Sequence, residues 1–168
     1  MTAHAVIRRG HVIKWLTACA ALWCLASLVP AAHPLFSRVC HQIPQRSFAI
    51  QGVPLPVCAR CTGLYFGALF GALALAASHR RAPSRWMTPP RRAVLLMAAI
   101  PALIEGGAEI VGLTTSHPVA RCLTGVLFGM VVPFYFIPAA DEMLAEARAE
   151  LSRLIAKWEK PHAATRAR

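Results

Sequence analysis

Acidic side chains are nearly absent from the first 140 residues of this chain. Of its seven Asp and Glu residues, only Glu105 and Glu109 precede Asp141. The 18 Lys and Arg residues lie mostly between long apolar stretches, and 57% of the chain is hydrophobic. A soluble domain of this size does not normally carry that excess, so part of it should face lipid. The basic residues flank apolar runs and do not line one polar face, which argues against nucleic-acid binding.

Cysteine is too sparse and too scattered for a small domain built on disulfides. Of the six cysteines, three lie inside apolar runs, where a thiol packs as a small hydrophobic group. The other three lie in the polar segment between the first two runs and are the candidates for chemistry: Cys40, Cys58 and Cys61.

Four apolar runs approach the roughly 20 residues that a helix needs to cross a bilayer. They cover about residues 12–32, 62–78, 93–113 and 119–140. We therefore predict an all-α fold, with a four-helix transmembrane bundle over residues 1–140 and a separate segment over 141–168. The second run is the shortest, so its helix should begin earlier, within the sequence Cys-Ala-Arg-Cys.

The basic residues predict the orientation, because positively charged flanks resist translocation. Arg8 and Arg9 precede the first run, and five arginines lie between the second and third runs, over residues 80–92. We predict a multi-pass protein of the cell (inner) membrane with both termini cytoplasmic, an outer loop over residues 33–60 and a short outer turn over 114–118. A cleaved signal peptide is the alternative for the first run, which ends in Val-Pro-Ala-Ala.

The C-terminal segment predicts an amphipathic helix. Its apolar residues alternate at spacings of three and four: Leu144, Ala147, Leu151, Leu154 and Trp158. Such a helix either lies on the cytoplasmic leaflet or packs against a second copy in a homo-oligomer.

The outer loop carries Cys40 beside His41, and then Cys58 and Cys61 in the spacing Cys-x-x-Cys. Two cysteines at this spacing can ligate one cation, and the upstream pair adds soft ligands of the kind that tetrahedral zinc requires. We predict a zinc-like metal site from these four residues, with Cys40 and His41 dividing the roles of ligand and supporting residue.

Two alternatives remain for the same cysteines. A Cys58–Cys61 disulfide that exchanges with Cys40 would form a redox relay, since an exported loop lies in an oxidising compartment. Four spans with such a pair at the start of the second resemble the quinone-linked disulfide-forming proteins of bacterial membranes and the vitamin K epoxide reductases, although the second outer turn here has no cysteine. The third reading is a noncatalytic scaffold with a structural disulfide or zinc staple.

Glu105 and Glu109 lie one helical turn apart inside the third run, where a carboxyl group persists mainly when it faces a partner or a cavity. We predict both as catalytic carboxylates. An anionic lipid, held by polar side chains at the start of the second and fourth runs, is the predicted substrate: Arg60, Thr62, Arg121 and Thr124 are the candidates. The alternative is a Glu–Arg121 pair that only neutralises two buried charges.

Small residues at intervals of four also mark the second and fourth runs as a closely packed central pair. These are Gly63, Gly67 and Gly71 in one run, and Gly125 and Gly129 in the other.

Several motifs occur in an order that resembles a family of small prokaryotic membrane proteins known as a domain of unknown function. They are Cys40-His41-Gln42, Arg46-Ser47-Phe48, the run from Cys58 to Gly63, Glu105-Gly106, and Arg121 followed by Thr124-Gly125. The likeness covers about residues 36–130 and implies a membrane location. The family pattern more often has Asp at position 105 and an amide at 109.

Overall fold

The computed structural model describes residues 3–81, 90–113 and 117–166. Arg85 of the basic segment and residues 114–116 of the predicted outer turn lie outside that part. The helices are α1 (Ala3–Ser27), α2 (His33–Phe36), α3 (Ala59–Arg81), α4 (Arg92–Ile110), α5 (Pro118–Val131) and α6 (Pro133–Arg166). Between α2 and α3 lie strands β1 (Ser47–Ile50) and β2 (Val53–Cys58), and single 3₁₀ turns cover Pro30–Ala32 and Pro44–Arg46.

Three of the described helical stretches are long and apolar enough to cross a membrane: Ala59–Arg80, Arg92–Ile110 and Pro118–Trp158. The stretch Gly10–Ser27 passes the same test together with Pro30–Phe36, to which it is bent by 105°. The described part of the chain therefore holds three membrane-spanning candidates, or four if the bent pair forms one span. This confirms the predicted all-α membrane fold, to which the structure adds a small β-hairpin.

The hairpin immediately precedes α3. Its antiparallel strands pair Ile50 with Val53, and the two residues between them, Gln51 and Gly52, have φ angles of +51° and +80°. Positive φ at both positions matches the twist of two antiparallel strands joined by a two-residue turn. Helix α3 then begins at Ala59, inside the Cys-Ala-Arg-Cys sequence as predicted. We call this end of the bundle the hairpin end.

Helices α3 and α5 form the central pair, as the glycine spacing predicted. A Cβ atom added to Gly63 would lie 2.0 Å from the carbonyl oxygen of Cys122, and one added to Gly125 would lie 2.2 Å from that of Arg60. Only glycine allows two backbones to approach this closely, and close approach maximises the dispersion contacts that hold helices together in lipid.

At the opposite end, α1, α3 and α6 share a core made by Ile13, Ala72, Leu75 and Ile137. The stretch Pro118–Trp158 contains 41 residues, so it is about 60 Å long at 1.5 Å per residue, about twice the thickness of the hydrocarbon layer. Helix α6 therefore continues well past the bundle and runs without a break across the predicted boundary between residues 140 and 141.

Candidate metal centre

Three cysteine sulfurs meet at the hairpin end. Cys40 follows the short helix α2, Cys58 ends β2, and Cys61 lies in the first turn of α3. Their Sγ atoms all lie within 4.8 Å of one another, and among the described residues they form a group that could hold a metal ion. Cys40 is buried, whereas the other two are half-buried. The tertiary structure thus joins residues that are up to 21 positions apart.

Backbone and side-chain hydrogen bonds hold this arrangement together. The N–H group of Cys58 donates to Cys40 Sγ at 3.2 Å. The Gln42 side chain donates to two carbonyl oxygens, that of His33 at 2.7 Å and that of Pro56 at 2.9 Å. Because Pro56 belongs to β2, these bonds fix the loop that carries Cys40 against the strand that carries Cys58.

Aromatic and aliphatic side chains cover one side of the sulfurs. Phe36 and Val57 are fully buried and form a cluster with Cys40, against which Cys61 and Tyr65 pack. The ring centroid of Trp23 lies 4.9 Å from that of Phe36 and 6.1 Å from that of Tyr65, both edge-to-face. This side of the site is shielded from water, which strengthens the interaction between thiolates and a cation.

His41 lies apart from the three sulfurs. It is exposed, and it does not belong to the group of described ligand atoms that gather around one point. Of the four residues predicted to form the metal site, the three cysteines lie together and His41 lies on the surface outside their group.

The hydrogen bond from the Cys61 thiol is the main factor that lowers the pKa of Cys58 to about 5, against the opposing effect of burial. Two further hydrogen bonds fix the backbone of Cys58. Its N–H group donates to Cys40 Sγ, and its carbonyl oxygen accepts from the Thr62 hydroxyl at 3.2 Å. The lowered pKa favours the thiolate of Cys58, which is the form in which cysteine binds metals.

Two carboxylates lie at the same end of the bundle, each facing arginine. Oε2 of Glu105 accepts from Arg60 at 3.2 Å and from the Thr124 hydroxyl at 2.7 Å. Glu109 pairs with Arg121, which is 5% exposed, and also accepts from Arg46 at 2.7 Å. The predicted polar residues of α3, α4 and α5 are thus brought together.

The sequence left open which carboxylate pairs with Arg121, and in the structure Arg121 forms an ion pair with Glu109. The structure also shows that two residues of the loop hold other parts of the site in place, which their spacing in the sequence did not indicate. Arg46 joins the start of the hairpin to α4, and Gln42 joins the two halves of the loop. The signal for Gln42 was its place directly after Cys-His in a motif.

The Glu109 pairs predict a difference between two substitutions. Replacing Glu109 by Gln removes the negative charge opposite the buried Arg121 side chain, and we expect a loss of about 2–3 kcal/mol in unfolding free energy. Replacing Arg46 by Ala should cost less than about 1 kcal/mol, because its side chain is 45% exposed. Denaturant unfolding in a mild detergent measures both, and equal losses would contradict this assignment.

Comparison with known proteins agrees with this picture. The family model described as "Predicted membrane protein (DUF2085)" matches residues 40–135, which are more than half of the chain and include all three cysteines of the site. The chain belongs to this family. The match includes both cysteine motifs and both carboxylates, and it confirms the resemblance that the motifs indicated.

Two archaeal proteins are similar to this DUF2085 member. An uncharacterized protein of Methanocaldococcus jannaschii is 35% identical over 116 residues, which are 67% of this chain and 70% of that protein. An uncharacterized protein of Methanothermobacter thermautotrophicus is 34% identical over 99 residues, 56% of this chain and 81% of that protein. No solved structure matches the chain.

Proposed function

We propose that this protein binds one zinc-like metal ion through Cys40, Cys58 and Cys61. The observation that supports it is the convergence of three sulfurs within 4.8 Å. Zinc–thiolate bonds of about 2.3 Å in a tetrahedral site separate the sulfurs by roughly 3.8 Å, so small side-chain rotations suffice. The lowered pKa of Cys58 fits the same chemistry, since metal binding requires the thiolate.

Three protein ligands leave a fourth position, and the occupant of that position decides the role of the site. His41 is exposed next to Cys40 and would close the site into a structural one if it turned inward. With the fourth position open to water, a bound zinc ion can lower the pKa of that water to about 7 and support hydrolysis. We favour the open site, because the hydrogen bonds described above hold the Cys40 loop while His41 is exposed and outside the group of sulfurs.

The proposed substrate is an anionic lipid. Arg60 lies between two of the cysteines in sequence and also bonds Glu105, so it connects the sulfurs to the carboxylates. Glu105 would act as general base, with the help of the Thr124 hydroxyl that orients it. Glu109, the second carboxylate predicted to be catalytic, and Arg121 would complete the charged surface, and Thr62 would support Cys58.

Elemental analysis of the purified wild-type protein tests the metal. We expect about one equivalent of zinc per chain, bound tightly enough to survive gel filtration in detergent. A metal-free protein would contradict the proposal.

A thiol–disulfide oxidoreductase is the second candidate, and the hydrogen bond from the Cys58 N–H to Cys40 Sγ favours it because it holds a third sulfur beside the Cys-x-x-Cys pair. In this reaction the Cys40 thiolate attacks the Cys58–Cys61 disulfide, and the new disulfide to Cys40 is then reduced by a dithiol substrate, which leaves as a disulfide while the three cysteines become thiols. A membrane quinone then reoxidises the thiols by taking up two electrons and two protons.

A noncatalytic scaffold, with α6 as its interaction helix in a homo-oligomer, is the third candidate.

We further propose that the hairpin end faces away from the cytoplasm, as the distribution of arginine predicts. Single cysteines introduced at Gln51 in the hairpin turn and at Ser152 in α6 test this, since both positions are exposed. A membrane-impermeant maleimide should add label over the wild-type level to Gln51→Cys in intact cells, and to Ser152→Cys only after lysis. The reverse pattern would contradict the orientation.

A further inference from the structure

A cleft between α3, α4 and α5 begins at the Cys61 end of the site and continues into the apolar part of the bundle. Its volume is about 340 Å³. The residues that line it are polar at one end only: Arg60 and Cys61, then Leu64, Ala102, Leu103 and Phe128. Along α4 the cleft extends away from the hairpin end as far as Ala99. Ala99 is six residues before Glu105, which corresponds to about 9 Å along the helix axis.

Arg60 closes the end of this cleft that is nearest to the hairpin. Its guanidinium reaches from α3 to Glu105 on α4, and Nη1 lies 3.4 Å from the point where a Cβ on Gly106 would be. A side chain at position 106 would press on the guanidinium, so the glycine leaves room for it. On the side of α4, Leu103 is 69% exposed, and no residue of this helix is buried, which leaves the cleft open toward the surrounding lipid.

The guanidinium keeps hydrogen-bonding capacity for a ligand. Arginine has five N–H donors. Within the described residues, Arg60 makes one side-chain hydrogen bond, to Glu105 at 3.2 Å, and its Nε is buried without a partner. A buried donor without an acceptor is destabilising, and an anionic head group would relieve this through a forked, charge-assisted pair.

We infer that this cleft binds a single-chain anionic amphiphile, with a phosphate or carboxylate head on Arg60 and its hydrocarbon tail between α3, α4 and α5. The inference rests on the proposed function, for which it names the substrate class. The volume lies at the lower end of the range for ligand sites, which suits one tail and not two. Cys61 lines the same cleft, so the head group would lie beside the proposed metal.

Binding of a spin-labelled dodecyl phosphate to the full-length protein in phosphatidylcholine vesicles tests the inference. The immobilised fraction in the electron paramagnetic resonance spectrum should give saturable binding. Unlabelled dodecyl phosphate should displace the probe, whereas the same concentrations of inorganic phosphate or dodecyltrimethylammonium should not. Equal displacement by either of these would overturn the inference, because it would show that the tail or the charge of the head is irrelevant.

Four variants locate the binding. Ala102→Phe fills the cleft and should weaken binding at least tenfold, while Ala93→Phe adds the same bulk at an exposed position of α4 and should leave binding unchanged. Arg60→Gln should also weaken binding at least tenfold, with Arg60→Lys in between, since lysine keeps the charge but loses the fork. Full binding by Ala102→Phe, with a retained melting temperature, would overturn the inference.

Metal content separates this inference from the proposed function. Ala102→Phe should keep its metal while losing the probe, and Cys58→Ser should lose its metal while still binding the probe in the cleft. A wild-type protein that binds dodecyl phosphate but no metal would remove the proposed metal site and leave the cleft assignment standing. A protein that binds metal but not the probe would remove the cleft assignment and leave the proposed metal site standing.

Discussion

Replacing Cys58 and Cys61 together by serine is expected to lower the zinc content from about one equivalent per chain to less than about a tenth. Serine keeps the size of the side chain but replaces a soft thiolate by a neutral hydroxyl, which zinc does not accept as a ligand in its place. Both sulfurs belong to the group that lies within 4.8 Å, so the double variant leaves Cys40 alone. Elemental analysis of protein purified in detergent gives the number directly.

Cys19 and Cys122 supply matched controls for this experiment. They are also free thiols, but neither belongs to the group of sulfurs at the hairpin end. Serine at either position should leave the metal content unchanged. A double variant at Cys58 and Cys61 with full metal content would refute the proposed ligands, and a metal-free wild type with a reducible Cys58–Cys61 disulfide would establish the redox candidate instead.

Substituting Gly63 by alanine is expected to have the largest effect on folding among the glycine-to-alanine changes in the described part of the chain. The new Cβ would meet the Cys122 carbonyl oxygen at 2.0 Å, and because both atoms are close to rigid helix backbone, α3 and α5 must move apart. Overpacking of this kind costs about 1–3 kcal/mol in a core. We expect a fall in the melting temperature in detergent of several degrees, and less folded protein in the membrane.

Gly107 supplies the control, because a Cβ added there meets no atom within 4 Å in the described structure. Gly107→Ala should be neutral or slightly stabilising, since alanine favours a helix over glycine by up to about 1 kcal/mol. Equal melting temperatures for the two alanine variants would show that α3 and α5 do not pack as closely as described. The comparison also bears on the site, because Arg60 lies on the same helix contact, opposite Gly125.

The charged residues link the parts that carry the sulfurs. Arg46 ties the hairpin to α4, Arg121 ties α5 to α4 through Glu109, and Arg60 ties α3 to α4 through Glu105. Helix α4, none of whose described residues is buried, is thereby held at the hairpin end by ion pairs. In a low-dielectric environment such pairs are strong only when every charge is matched, which explains why the two intramembrane glutamates face arginines.

Much of the fold was predictable because it follows from local sequence. The apolar runs indicated the spans since any helix in lipid must cover its backbone with apolar side chains over about 20 residues. The glycine spacing indicated the α3–α5 contact, since residues four apart lie on one helix face. The hairpin was missed, because Pro54 and Pro56 argue against a strand, and a two-stranded sheet tolerates them only because each strand has a free edge.

By itself, the sequence determined that this is a helical membrane protein with three cysteines, two carboxylates and several arginines near one end of its bundle. The lengths of the apolar runs and the positions of the charged residues can be read from the chain without knowledge of tertiary contacts. Only the tertiary structure decided that Cys40 joins Cys58 and Cys61 while His41 is exposed, and that Arg121 pairs with Glu109. Such choices depend on where a loop folds back and which helix faces approach each other. They arise from contacts between residues far apart in sequence, which no local pattern encodes.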